Sequence, residues 1–211
     1  MFFAGHLRTW RGMREEQERA ASGAPRLATR VIDELLEART VLVFGEIDVH
    51  LAHSVGAQLL ALAERGSEPI RVIVNSPGGH VEAGDSIHDI LRFITPEVIM
   101  IGSGWVASAG ALVYVAARRE NRFCLPNTRF LLHQPLGGVG GPASDVEIEA
   151  AQILSIRDRL NRIFARETGQ SLDRMVRDTE RNHWMNAEEA VRYGLVGTVI
   201  QHASQVSGTH S

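Results

Sequence analysis

The apolar positions fall into short blocks whose period switches repeatedly between helix and strand. In "RLATRVIDELLEAR", Leu27, Val31, Ile32, Leu35 and Leu36 recur at helical spacing. "TVLVFGE" is a short apolar strand ended by Gly45, and "LAHSVGAQLLALAERG" returns to the helical period and stops at Gly66. "PIRVIVNSPGG" predicts a strand running into a glycine turn, and "VEAGDSIHDILRFI" a helix ahead of Pro96. "EVIMIG" reads as a strand and "ASAGALVYVAA" as a buried helix, with two more strands near residues 122–125 and 129–132. Strands alternating with helices through short turns define an α/β domain. Active sites in such folds tend to lie where strands turn into helices. Two segments qualify, "NSPGGH" at 75–80 and "GSGWVAS" at 102–108.

A Gly/Pro-rich loop then leads into a long amphipathic helix, expected from about 142 to 167. Val146, Ile153, Ile156, Leu160, Ile163 and Phe164 form one stripe along it. Such a stripe on a projecting helix needs a cover, and a second subunit is the natural one. The domain organisation expected is a flexible N-terminal arm (1–26), a single folded domain (27–201) and a disordered tail (202–211). No internal repeat stands out.

Composition narrows the chemistry. The 211 residues suffice for one substantial core, and 44% hydrophobic with 22% charged residues is ordinary for a globular protein. A net charge of -3 gives no basic footprint for nucleic acid. All 22 cationic side chains are arginine, which excludes a Ser-Lys dyad and any Schiff base. Cys124 is the lone cysteine, so there is no internal disulfide and no cysteine metal cluster, in keeping with a reducing, cytoplasmic setting. The apolar run at 106–117 is too short for a bilayer, and the N-terminus lacks a secretory pattern.

Ser108 sits at the start of the small-residue helix, where an alanine would pack as well. Its hydroxyl is either a helix cap or a nucleophile exposed at a helix N-terminus. The backbone N–H groups of Gly79 and Ala109 have the placement of an oxyanion hole. His133, ending the strand "RFLLH", is either a structural histidine or the base for Ser108. His50 and His53, near Asp48, lack the further ligands a metal needs, and a polar helix end is the simpler reading. His80 and His88 are expected at the surface or in a substrate groove. Trp105 is assigned to packing beside the catalytic turn, with a pocket role as the alternative. Asn186 is expected to cap the helix "AEEA".

Six segments occur in a telling order: "NSPGGHVEAGDSIHDILRFI", "GWVASAGALV", "CLPNTRFLLHQPLGG", "ASDVEIEAAQIL", "RDTERN" and "NAEEAVRYGLVGTVI". From about residue 38 to 201 the chain resembles the ClpP family, the proteolytic subunits of the Clp protease. The resemblance implies a crotonase/ClpP-like α/β fold of repeated ββα units with a protruding handle helix. It implies a serine endopeptidase cutting unfolded polypeptides inside two stacked heptameric rings, fed by a AAA+ Clp unfoldase. No cofactor, metal, nucleic acid or membrane is implied. Ser108 maps to the nucleophile and His133 to the base. Gly79 and Ala109 map to the oxyanion hole, and Glu180 and Arg181 to a charged pair where the rings meet.

The chain also departs from the family pattern. The triad aspartate is replaced by Asn182, while Asp178 matches a structural position. An asparagine can orient the histidine ring but carries no charge to stabilise the imidazolium. The resemblance therefore leaves two functional readings: an active Ser108–His133–Asn182 triad, or a weakly active or non-catalytic structural subunit of a mixed ring. Arg71 and Ile73 stand where relatives carry aromatics for the unfoldase, which implies altered docking. An acyl-CoA enzyme of crotonase type is disfavoured, because it has no use for a Ser–His pair and no phosphate cradle is evident.

Overall fold

The structure is a computed structural model that describes residues 30–135, 137–138 and 140–206. It divides into two units at Ala38/Arg39. In the first, residues 30–37 are helical (α1), continuing the helical period read there. The expected arm, 1–26, lies outside the described residues.

The second unit is built on strand–helix alternation. β1 (Thr40–Phe44), β2 (Ile70–Ser76) and β3 (Val98–Ala107) pair in parallel, joined by α2 (Val49–Arg65) and α3 (Val81–Phe93). β4 (Arg122–Cys124) and β7 (Thr198–Val199) extend the parallel sheet in the order β1-β2-β3-β4-β7. The β-branched residues Val41, Val43, Ile70, Val72 and Val74 are fully buried, as strands covered by helices require. α2 begins as its sequence predicts, with Asp48 Oδ1 accepting from Leu51 N at 2.7 Å.

β3 is longer than the sequence suggests. "GSGWVAS", read as a turn, is strand up to Ala107. Residues 100–102 pair with β4, and after the bend at Gly104 (φ 66°) residues 105–107 pair with β5 (Arg129–Leu132). The glycines mark a change of partner rather than the end of the strand. β5 pairs antiparallel with β6 (His183–Asn186), so a second small layer branches off where β3 ends. There the chain turns into the short buried helix α4 (Ala109–Tyr114).

The long helix α5 runs Ala143–Thr168, one residue later at each end than expected, and stops at Gly169 in the left-handed conformation. Its buried residues begin only at Leu160. The upstream stripe is half-buried at Val146, Ile153 and Ile156, whereas Ile148 and Leu154 are 59% and 54% exposed. The base of α5 is tied down by Arg122, whose side chain is 1% exposed. It donates to the Leu195 and Glu167 carbonyls at 3.1 and 2.9 Å and pairs with the Glu167 carboxylate at 3.4 Å. A buried guanidinium needs such partners, and among the described residues only its Nε is left without one. α6 (Leu172–Thr179) and α7 (Ala187–Tyr193) complete the unit, and Asn186 caps α7 in a capping box.

Residues 202–206, assigned to a structureless tail, carry a 3-10 turn at Ala203–Gln205, and Val206 packs on the cluster of Ile99, Phe123 and Ile200. The tail expectation beyond residue 206 lies outside the described residues.

Candidate active site

Ser108 lies between the end of β3 and the start of α4. Its N–H donates to Leu131 O at 2.9 Å, and its carbonyl accepts from Ala111 and Leu112 N. These bonds begin the helix through the backbone. The side chain makes no capping hydrogen bond, although Ser108 occupies the N-cap position. The residue sits at φ 55°, ψ −120°, one of two non-glycine residues with positive φ among the described residues. A serine is strained there by about 1–3 kcal/mol, and such strain concentrates at functional turns. The cap reading of Ser108 therefore fails.

The glycine turn after β2 packs against Ser108. A Cβ on Gly78 would lie 2.6 Å from Ser108 Cβ, and Gly78 has φ 100°. Ile47 brackets the next residue, with Ile47 N donating to Gly78 O at 2.8 Å and His80 N to Ile47 O at 2.7 Å. A Cβ on Gly79 would collide with the Ile47 backbone. Among the described residues the N–H groups of Gly79 and Ala109 have no hydrogen-bond partner. Ala109 is also the first residue of a helix, where backbone N–H groups are free to bind an anion.

His133 follows β5 directly and is half-buried. It shares a narrow cleft with Ser108, walled by Val81, Leu112, Leu160 and Phe164. Burial holds its imidazole below the ordinary pKa. No hydrogen bond joins Ser108 to His133 among the described residues; apo sites often tighten only around substrate.

Asn182 is exposed and makes no side-chain hydrogen bond among the described residues. The β5–β6 ladder runs from Arg129↔Asn186 to Leu132↔His183, so His133 and Asn182 are the residues that directly follow and precede its last pair. Gln134 braces the same place: its N–H donates to Thr179 O at 2.8 Å and its Nε2 to Glu180 O at 3.0 Å. Sequence reasoning had assigned no role to Gln134 or to β6. Asp178 faces elsewhere, accepting from Tyr193 Oη at 2.7 Å and Arg174 Nε at 3.3 Å, which is a structural job.

The remaining candidates lie apart from the cleft. Glu180 and Arg181 are exposed on the turn after α6. His53 and His80 line a groove between α2 and α3, and His80 Nδ1 is 3.2 Å from Glu82. His88 is neither at the surface nor open to a groove, the two places expected for it: it is 6% exposed, and Nε2 is buried without a partner among the described residues. The α3 face carrying Gly84 and His88 turns inward, which a helix-start position in the sequence does not reveal. Trp105 is 44% exposed and pairs across the ladder with Arg129, whose guanidinium stacks 4.4 Å over Trp184. It faces away from the buried row Val106, Phe130 and Met185, so packing within the chain does not describe it. Arg71 and Ile73 are half-buried on one face of β2. No helix among the described residues is long and apolar enough to cross a membrane.

Known proteins are similar to this chain in sequence and in fold. A Clp protease family model matches residues 23–203. The ATP-dependent Clp protease proteolytic subunit 2 of Gluconobacter oxydans (strain 621H) is 58% identical over 174 residues, covering 82% of this chain and 78% of the relative. Proteolytic subunit 3 of Rhizobium etli is 54% identical over 186 residues, covering 88% and 95%. The solved structure of ClpP1 from Listeria monocytogenes superposes with a TM-score of 0.77 at 46% identity, covering 84% of this chain and 99% of that one. An asparagine-to-aspartate mutant of that ClpP1 gives a TM-score of 0.79. With the parallel sheet, the strained serine turn and the histidine facing it, these matches show that the chain belongs to the Clp protease family.

Proposed function

We propose that this chain is the serine endopeptidase subunit of an ATP-dependent Clp protease, with Ser108 as nucleophile and His133 as general base. The observation that carries the reading is the strained Ser108 turn. Its hydroxyl is free of capping duty, it shares a cleft with His133, and two unpaired backbone N–H groups belong to the same pair of turns. In this scheme Ser108 Oγ attacks the peptide carbonyl carbon as His133 takes its proton. The oxyanion is held by the N–H groups of Gly79 and Ala109. The C–N bond then breaks, the amine leaves with the proton from His133, and water hydrolyses the acyl-enzyme by the same route.

Asn182 is the third member of this site. Its amide oxygen can accept the ring N–H of His133 and fix the tautomer, without the charge that stabilises the imidazolium. A second reading draws on the same residue. Exposed and unbonded in the isolated chain, Asn182 is compatible with a weakly active or structural subunit whose site is completed on assembly. The assembly proposed is two stacked heptamers, homomeric or mixed, in the cytoplasm, receiving unfolded polypeptides from a AAA+ Clp unfoldase. Glu180 and Arg181 are proposed to meet across the rings. Arg71 and Ile73 are proposed to alter unfoldase docking.

The test is intact mass after a serine-reactive phosphonate, with Ser108→Ala as control. One adduct lost in the mutant supports the peptidase. No adduct, alone or with candidate partner subunits added, leaves only the structural reading.

A further inference from the structure

Two walls of the cleft are joined by a pair of charges outside it. Arg159 on α5 donates through Nη1 and Nη2 to the two carboxylate oxygens of Asp85 on α3, each at 2.6 Å. Among the described residues this is the one ion pair made by two short parallel bonds. Val81, one turn before Asp85, lines the cleft, and so do Leu160, next to Arg159, and Phe164, one turn further on. Gly84, the neighbour of Asp85, packs against Ala109. The pair therefore links the helix that carries the apolar wall to the helix seated against the oxyanion turn.

Its position along α5 matters as much as its geometry. Residues 143–159 contribute no buried side chain, and burial starts at Leu160. The pair sits at that boundary, one residue before the first buried side chain of α5. Asp85 is 18% and Arg159 45% exposed. Exposure of this kind limits what an ion pair adds to global stability, while the bidentate fork still fixes direction and distance. Glu82 and Asp89, on the same helix as Asp85, add to the negative field around the guanidinium.

We propose that Asp85 and Arg159 are positioning residues of the peptidase site: their ion pair holds the α5 wall, Leu160 and Phe164, closed over Ser108 and His133. The proposal rests on the reading of Ser108 and His133 given above. It differs from an ordinary surface ion pair in what it predicts for substrates of different size. The measurement compares two phosphonates on the full-length protein in its native assembly, one with a methyl substituent and one with a benzyl substituent. In Asp85→Asn the benzyl reagent labels Ser108 about fivefold more slowly, while the methyl reagent and the melting transition are unchanged. Arg159→Gln behaves the same way, and the double variant loses nothing further, as for two residues acting through one contact. Equal slowing of both reagents, slowing of neither, or additive losses would overturn the proposal. Hydrogen exchange across residues 156–168 reads the closure without chemistry at Ser108. It speeds up in Asp85→Asn if the pair holds the helix down. Unchanged exchange sinks the proposal by itself, whereas a wild type that takes up neither reagent counts against the nucleophile reading.

Discussion

Ser108 is held at φ 55°, in a region that glycine tolerates and serine does not. The surrounding backbone imposes it, through the Ser108–Leu131 bond on one side and the Gly78 contact on the other. Ser108→Gly should therefore raise unfolding stability by about 1 kcal/mol in denaturant titration while abolishing peptide cleavage. A loss of stability would mean that the turn is not strained by its side chain. In the proposed triad, His133 and Asn182 set the pH response. Burial lowers the His133 pKa, and the base must be neutral to work, so the acid limb of kcat/KM should lie below the ordinary histidine value of about 6.5. The same sign holds for folding: the unfolded chain binds the proton more readily, so this contribution to stability is full above about pH 6.5 and is lost as pH falls towards the native pKa. Asn182→Asp adds a negative charge opposite the ring. Turnover should rise, by up to about 10⁴ if the serine-protease template applies, and the acid limb should move upward. Peptide assays across pH on both proteins measure this, and an unchanged rate would remove the argument about missing charge.

At the scale of elements, the site depends on two junctions. The β2 and β3 ends meet where Gly78 touches Ser108, so Gly78→Ala forces a methyl into Ser108 and should eliminate activity even in protein that remains folded by circular dichroism. The other junction is at the base of α5, where Arg122 joins β4, Glu167 and the Leu195 carbonyl. Arg122→Met removes the donor to the Leu195 and Glu167 carbonyls and one partner of the Glu167 carboxylate, and should cost about 3 kcal/mol in urea unfolding. A loss under 1 kcal/mol would mean that Arg92 and Arg166, which also reach Glu167, can take over. The β5–β6 ladder also matters, because its last pair, Leu132↔His183, sets how the flanking residues His133 and Asn182 lie, and a one-residue slip would change that.

For the molecule as a whole, the apolar surface left uncovered is informative. Ile148 and Leu154 stand out on the half of α5 that has no buried residues, and Phe93 is 80% exposed at the end of α3. Patches of this kind are interfaces in soluble proteins. Ile148→Asp with Leu154→Asp should lower the native mass of the assembly, read by native mass spectrometry, while leaving the fold of the single chain intact. A full-size assembly from that double variant would assign the α5 surface another role. The expected stripe was right in register and incomplete in extent. Ile153 is met by the chain itself, its Cδ1 lying where a Cβ on Gly137 would be only 3.0 Å away, and the exposed Ile148 and Leu154 flank the stripe, one on each edge.

Local order was written in the sequence wherever side chains choose their own conformation. Apolar blocks rich in valine and isoleucine gave the parallel strands and Asn186 gave a helix start, while Ser108, His133, Gly79, Ala109 and Asn182 came as one set only through the family resemblance of the ordered motifs. What the tertiary structure decided depends on contacts between distant segments. "HWMN" has no strand period of its own and becomes β6 only because β5 offers a hydrogen-bonding edge. "GSGW" reads as a turn, yet it is strand because β4 and β5 pair with successive parts of it. Val206 is drawn onto a cluster whose members come from three strand regions. His88 is buried because α3 presents that face to the core. The Asp85–Arg159 pair has no signature in a chain where both residue types are common. Composition and period fix which elements form, because those are local energies; which groups meet is fixed by packing, because only closing the chain on itself brings them within hydrogen-bonding reach.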